Sequence, residues 1–314
     1  MAEPRRGWQQ GRGWGWIWGD DDEIGALNHM TAETILDALR RPSRGKVYDL
    51  GAPLDRGSFL WPGHVGTEVL PFRTAAGLKK GGDFGEPPDG LSFHTSLIML
   101  SDHAGTQLDG LCHATKGSDD HWYNGFTSTE WAFDFGPGKA SAAGIPPIIA
   151  PGVLIDVPGH LGLDELPPSH PITESDLEAA LGAQGTRIEP GNVVLVRTGT
   201  MRHWGEAGHD REALAGPDCA GITLGAARWL VEECGALVIG GDTSTLEVVP
   251  PVDGAPSPSP VHEYLLIDQG VHMGELHDLE ELAAEAAYEF TYVALVPPMR
   301  GATAGFALRP IAIT

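Results

Sequence analysis

Apolar positions along the chain fall into short blocks divided by glycine, proline and asparagine, and the period inside each block predicts its element. Thr31 precedes AETILDALRR, in which Ile35, Leu36 and Leu39 make one apolar stripe, so a short helix is expected that stops before Pro42. From Lys46 the blocks turn β-rich: KVYDL, SFHTSLIML running on into HAGTQLD, PGVLIDV, NVVLVRTG and ALVIGGD. Two further helices lie between them, SDLEAALGAQ behind the cap-like Thr173, and TLGAARWLVEECG, which closes at Gly235. YEFTYVALVPP and GFALRPIAIT read as closing strands of the same sheet system. This alternation of strands and helices predicts an α/β body.

Residues 1–20 hold four tryptophans among glycines and arginines with neither period, and they read as an N-terminal extension lying on the body or on a neighbouring subunit. Residues 21–314 read as a single domain, with the proline-rich PPVDGAPSPSP as a surface loop, because residues 261–314 are too few to stand alone. No internal repeat interrupts this reading.

Charge narrows the function classes. Forty-three acidic residues against 20 basic give a net charge of −23, a surface that repels phosphate backbones and anionic head groups. Nucleic acid and membrane partners are therefore not expected, while acidity alone does not identify the substrate. Cys112, Cys219 and Cys234 lie far apart without paired spacing, which fits a reducing, cytoplasmic setting. The arginines near the N-terminus lead into WGWIWGDDDE, too short and too quickly acidic for a secretory or membrane-spanning segment.

The chemistry concentrates in HAGTQLDGLCH. His103, Gln107, Asp109 and His113 occupy alternate positions and would share one face of an extended backbone, with Gly105 and Gly110 permitting a turn or bulge. Imidazole nitrogen and carboxylate oxygen are ligands for zinc, manganese and iron, so the segment predicts a divalent metal site with positions left open. A single histidine among thirteen is more often a surface or hydrogen-bonded core residue; the grouping is what points to function. On an alternating strand Cys112 faces away from His113 and is assigned to packing. The chain has neither a G-x-S-x-G elbow nor a GxxxxGK phosphate loop.

At these residues the sequence resembles the cyclase family, which includes bacterial kynurenine formamidases, isatin hydrolase and trans-dienelactone hydrolase. The family pattern H-x-G-T-H-x-D-x-P-x-H here reads HAGTQLDGLCH, and the likeness continues through WGDDDEIGALNHMT, WPG, VVLVRTGT, GGDTST and HEYLLIDQGVHMGELHDLEEL. The resemblance implies His103 and Asp109 as metal ligands and His113 as the catalytic histidine. The family's second metal histidine is replaced by Gln107, a weaker neutral ligand that shifts the expected ion from zinc towards manganese or magnesium. This variant resembles the dienelactone-hydrolase side of the family more than the formamidases.

The resemblance further implies His262 and Glu275 as distant catalytic or second-ion residues, with His272 and His277 as rivals through a small slip in alignment. Trp61 would wall the substrate pocket. Asp242, in GGDTST at the end of a predicted strand, resembles the family's G-x-D-T segment and is expected either to support the site from behind its ligands or to cap a turn. The implied fold is the swivelling β/β/α architecture, a mixed β-sheet core with flanking helices, assembled as a homodimer or homotetramer. The implied activity is metal-dependent hydrolysis of an amide, lactam, lactone or ester of a small cyclic or aromatic compound, as in an arylformamidase of tryptophan catabolism or a lactone hydrolase. Competing readings are a polyketide-type cyclase or dehydratase, an iron(II) oxygenase using two histidines and a carboxylate, and a non-catalytic metal-binding scaffold.

Overall fold

The computed structural model describes residues 7–82, 85, 89–204, 210, 213–214, 218–252 and 254–314. The tip of the N-terminal extension, residues 1–6, lies outside the described residues.

The strongest β blocks are apolar on both faces, which suits parallel strands covered by helices on either side. β7 (Ile148–Asp156), β9 (Val193–Arg197), β11 (Val238–Gly241) and β12 (His272–Glu275) indeed run parallel, and β9, β11 and β12 are buried throughout. Antiparallel strands complete a nine-stranded mixed sheet: β13 (Glu289–Ala294), β15 (Ile311–Ile313) and β1 (Val47–Asp49) beyond β7, and β4 (Gln107–Asp109) and β14 (Ala304–Gly305) beyond β12. Three two-stranded sheets accompany it, formed by β2 (Glu68–Arg73) with β3 (Thr95–Met99), β5 (Ala132–Phe133) with β6 (Gly136–Pro137), and β8 (Pro171–Ile172) with β10 (Gly221–Ile222).

The helices cap as their sequences predict. Thr31 and Thr34 exchange the two bonds of a capping box at the start of Ala32–Arg40, and Thr173 does the same with Asp176 for Glu174–Gln184. Leu224–Arg228 continues into Trp229–Glu233, and Gly235 follows in the left-handed region. An unanticipated helix, Pro260–His262 running into Glu263–Gln269, connects β11 to β12. Its periodicity is hidden because Tyr264, Leu265, Leu266 and Ile267 are all buried, so no polar face marks the turn of the helix.

The tryptophan-rich segment lies on the body. Trp14 is fully buried in the main core, and its indole donates to the Ala236 carbonyl at 2.9 Å. The indoles of Trp8 and Trp16 donate to the Val231 and Ile267 carbonyls, each at 2.6 Å. Val231 and Ile267 lie in the last turns of the helices that lead into β11 and β12. The segment thereby ties down, through Trp16, the helix that begins at Pro260.

Two expectations need correction. SFHTSLIML does not run into the motif as one strand: β3 pairs with β2 in a separate arm whose residues are mostly exposed, and a turn divides it from β4. The motif itself is extended only over Gln107–Asp109. Gly105, at φ +63°, bends the chain just before β4, so His103 reaches the site from a turn rather than from a strand.

Candidate metal centre and its pocket

β4 pairs antiparallel with β12, and this register sets Gln107 opposite Glu275 and Asp109 opposite Met273. Gln107 and Asp109, two residues apart on a strand, point to the same face. His103 comes from the preceding turn and His113 from the turn that follows, and His262 sits near the start of the 260–269 helix. Five segments of sequence thus meet at the floor of a cavity of about 340 Å³, which also touches Phe59, Trp61 and His64.

Asp109 is the centre. It is 0 % exposed, and neither carboxylate oxygen has a hydrogen-bond partner among the described residues. Its Oδ1 lies 3.4 Å from His103 Nδ1 and its Oδ2 lies 4.0 Å from His262 Nε2. His103, Asp109 and His113 offer ligand atoms within 4.8 Å of one another, and so do Asp109, His262 and Glu275. Asp109 is therefore common to two overlapping sets. An orphaned, fully buried carboxylate costs stability unless a cation or donor meets it, so this donor set fits a divalent ion.

The surroundings tune each ligand. Gln107 Nε2 donates to His103 Nδ1 at 3.1 Å and to Glu275 Oε2 at 2.7 Å, while its buried Oε1 has no hydrogen-bond partner among the described residues. Behind His103, Nε2 meets Thr303 Oγ1 at 3.0 Å, and that hydroxyl donates to Asp102 Oδ2 at 2.9 Å. A hydroxyl that gives its proton to Asp102 can only accept from His103, which places the ring proton on Nε2 and the lone pair on Nδ1, facing Asp109.

The electrostatics call for positive charge. Burial alone would raise the Asp109 carboxyl, but His113, His103 and His262 hold it well below the usual carboxylate range. Burial, with Asp109 beside it, pushes Glu275 up to about 7. Burial pushes His113 down to about 4, leaving a neutral imidazole whose ring centroid is 4.1 Å from that of His103. Cys112 is buried with its thiol pushed up to about 12 by desolvation, too weakly ionised for a nucleophile.

The structure brings together His103, Gln107, Asp109, His113, His262 and Glu275, with Trp61 on the cavity wall. It does not bring Asp242 to the pocket. That carboxylate is fully buried and accepts from Thr198 N, Thr198 Oγ1 and Gly199 N at 2.7–2.8 Å, so it acts as a clamp between two loops. Burial pushes it up to about 6 against those bonds. His272 Nδ1 donates to the Asp109 carbonyl, and His277 pairs with Tyr292; neither lines the cavity. Sequence reasoning missed Thr303, which lies 200 residues from His103. It also missed His64, three residues beyond Trp61, whose ring lies tilted against that of His103 with centroids 5.3 Å apart.

The Cyclase family model matches residues 48–248. The crystal structure of a novel cyclase superposes with a TM-score of 0.82 at 30% identity, covering 95% of this chain and 96% of that one. The chain belongs to the cyclase family. Isatin hydrolase A from Ralstonia solanacearum shares the fold at a TM-score of 0.62 and 19% identity, covering 91% of this chain and 98% of its own. Isatin hydrolase A from Labrenzia aggregata, solved with benzyl benzoate, does so at 0.60 and 20%, covering 86% and 93%. Nothing among the curated proteins matches. None of the described helices is long and apolar enough to cross a membrane.

Proposed function

We propose that the chain is a metal-dependent hydrolase that cleaves an acyl carbon–nitrogen or carbon–oxygen bond in a small cyclic or aromatic substrate, such as an aryl formamide, a lactam or a lactone. The observation that carries this reading is Asp109: a buried carboxylate without a hydrogen-bond partner among the described residues, grouped with three histidines and Glu275 that line the pocket. His103 and Asp109, with Gln107 through its unpartnered Oε1, would hold a manganese or zinc ion, or magnesium. When bound, such an ion supplies Lewis acidity, polarising a carbonyl and lowering the pKa of water.

The remaining groups then have distinct tasks. His113, neutral through the physiological range, takes a proton from the attacking water at one ring nitrogen and returns it to the departing nitrogen or oxygen. Its closeness to His103 and Asp109 also suits it to ligation, and the two roles separate by metal content. His262 and Glu275 orient the water or hold a second ion. Phe59 and Trp61 offer flat apolar walls that favour a ring-bearing substrate over a linear polar one. A similar fold in isatin hydrolases supports a lactam among the candidates.

We also propose a cytoplasmic homodimer. The β2–β3 arm and its flanks expose Val65, Val69, Leu70, Phe72, Leu91, Phe93, Leu97, Ile98 and Met99, an apolar surface of the kind that marks an interaction site. A lone two-stranded sheet is marginal in water and gains from such cover.

The decisive experiment strips the protein with chelator, reloads it with manganese or zinc, and screens aryl formamides, isatin-like lactams and unsaturated lactones. Metal-dependent acid release supports the reading. Oxygen consumption would favour the iron oxygenase instead, loss of water from an open-chain substrate a cyclase or dehydratase, and metal uptake without turnover of any substrate a scaffold.

A further inference from the structure

Glu247 is buried, 2 % exposed, and does not line the cavity, yet both of its carboxylate oxygens are engaged at the start of the helix that presents His262. Oε1 accepts from His262 Nδ1, and Oε2 accepts from the Val261 N–H at 3.0 Å. On the opposite edge of the ring, His262 Nε2 faces Glu275 Oε1 at 3.6 Å and Asp109 Oδ2 at 4.0 Å. Building on the metal-centre reading above, we propose that Glu247 is the positioning residue of this site, holding the proton of His262 on Nδ1 so that the Nε2 lone pair faces Asp109 and Glu275.

The need for such a residue follows from the charges around the ring. Two carboxylates lie beside Nε2, and a neutral imidazole left to itself would place its proton there and donate to one of them. That tautomer has no lone pair to offer a cation. A third carboxylate on Nδ1 reverses the preference, because the proton then has a partner on the side away from the site.

The loop carrying Glu247 is built to hold still. Asp242 clamps its start to Thr198 and Gly199. Thr245 Oγ1 donates to the Glu247 carbonyl at 2.8 Å, and the Glu247 N–H donates to the Thr245 carbonyl. The backbone of Glu247 packs against Gly221 so closely that a Cβ on Gly221 would meet the Glu247 carbonyl carbon at 2.4 Å. The buried clamp of Asp242 thereby acquires a purpose: it fixes the loop whose far end aims the histidine.

The test compares wild type, Glu247→Gln and Glu247→Asp. A glutamine offers one acceptor and one donor where two donors, Nδ1–H and the Val261 N–H, need acceptors, so it cannot reproduce the arrangement. Zn²⁺ affinity is measured by competition with a chromophoric chelator, and the ring nitrogens of His262 are read by ¹⁵N NMR, assigned with His262→Gln. In Zn²⁺-loaded wild type the ring should carry its proton on Nδ1 alone. Glu247→Gln should bind Zn²⁺ about 10- to 100-fold more weakly, the range seen when outer-shell partners are removed. Glu247→Asp should recover a substantial part of that loss, which a merely structural defect would not.

Equal Zn²⁺ affinity and an unchanged ring in Glu247→Gln would overturn the proposal, as would a wild-type ring protonated on Nε2 in the loaded protein. If Glu247→Gln fails to fold, the wild-type ring and the Glu247→Asp affinity decide the matter. If wild type takes up no Zn²⁺, the metal reading fails by itself. Glu247 is then judged on the metal-free ring, whose hydrogen-bonded Nδ1 proton should persist in wild type and be lost in Glu247→Gln.

Discussion

Asp109→Asn is the substitution that bears hardest on the site, because among the described residues Asp109 alone belongs to both potential ligand sets. The side chain keeps its size and loses its charge, so the core around it should survive while both sets lose their shared anion. An ion that binds only the folded chain stabilises it by about 2.7 kcal/mol at 100 times its dissociation constant and about 4.1 kcal/mol at 1,000 times. For a chain of this size each kcal/mol moves the melting temperature by ~2 °C, so saturating manganese or zinc should raise wild type by about 5–8 °C over the chelator-treated protein. Asp109→Asn should lose that rise almost entirely. Glu275→Gln, which touches one set only, should retain part of it. Differential scanning calorimetry with EDTA, then with each ion, measures all three. A full rise in Asp109→Asn would remove Asp109 from the ligand shell; no rise in wild type with either ion would remove the centre itself.

Three further outcomes are expected. His113→Asn should fold and keep most of its metal-induced rise while losing about 10²- to 10⁴-fold in turnover on whichever acyl substrate is hydrolysed, and an unaltered kcat would take His113 out of the mechanism. Gln107→His replaces a neutral amide by an imidazole, so Zn²⁺ should bind at least ~10-fold more tightly in chelator competition; weaker binding would show that the glutamine is not in a ligand position. Phe72→Ser combined with Ile98→Ser should convert a dimer to a monomer with an unchanged circular dichroism spectrum, since both side chains sit on the exposed arm. Sedimentation reads the result, and a wild-type monomer would refute the role given to the arm.

Much of the fold was legible along the chain, because local rules decide it. Thr31 and Thr173 cap helices through atoms three residues away, and the continuous apolar runs of β7, β9 and β11 announce strands buried on both faces. The motif residues His103, Gln107, Asp109 and His113 were readable for the same reason: they are neighbours in sequence and remain neighbours in space. The register of the arm was not legible, since SFHTSLIML looks like any half-buried strand until its partner β2 is known.

What the tertiary structure alone decided is how groups far apart in sequence converge. The pairing of β12 with β4 brings Glu275 to Gln107 across 168 residues, and Thr303 reaches His103 across 200. Glu247, unremarkable in TSTLEVVP, becomes the partner of His262 only when the crossover helix folds back over the loop after β11. Periodicity and caps are short-range and survive in one dimension; the charge and hydrogen bonding of a buried site depend on distances that only the packed sheet sets.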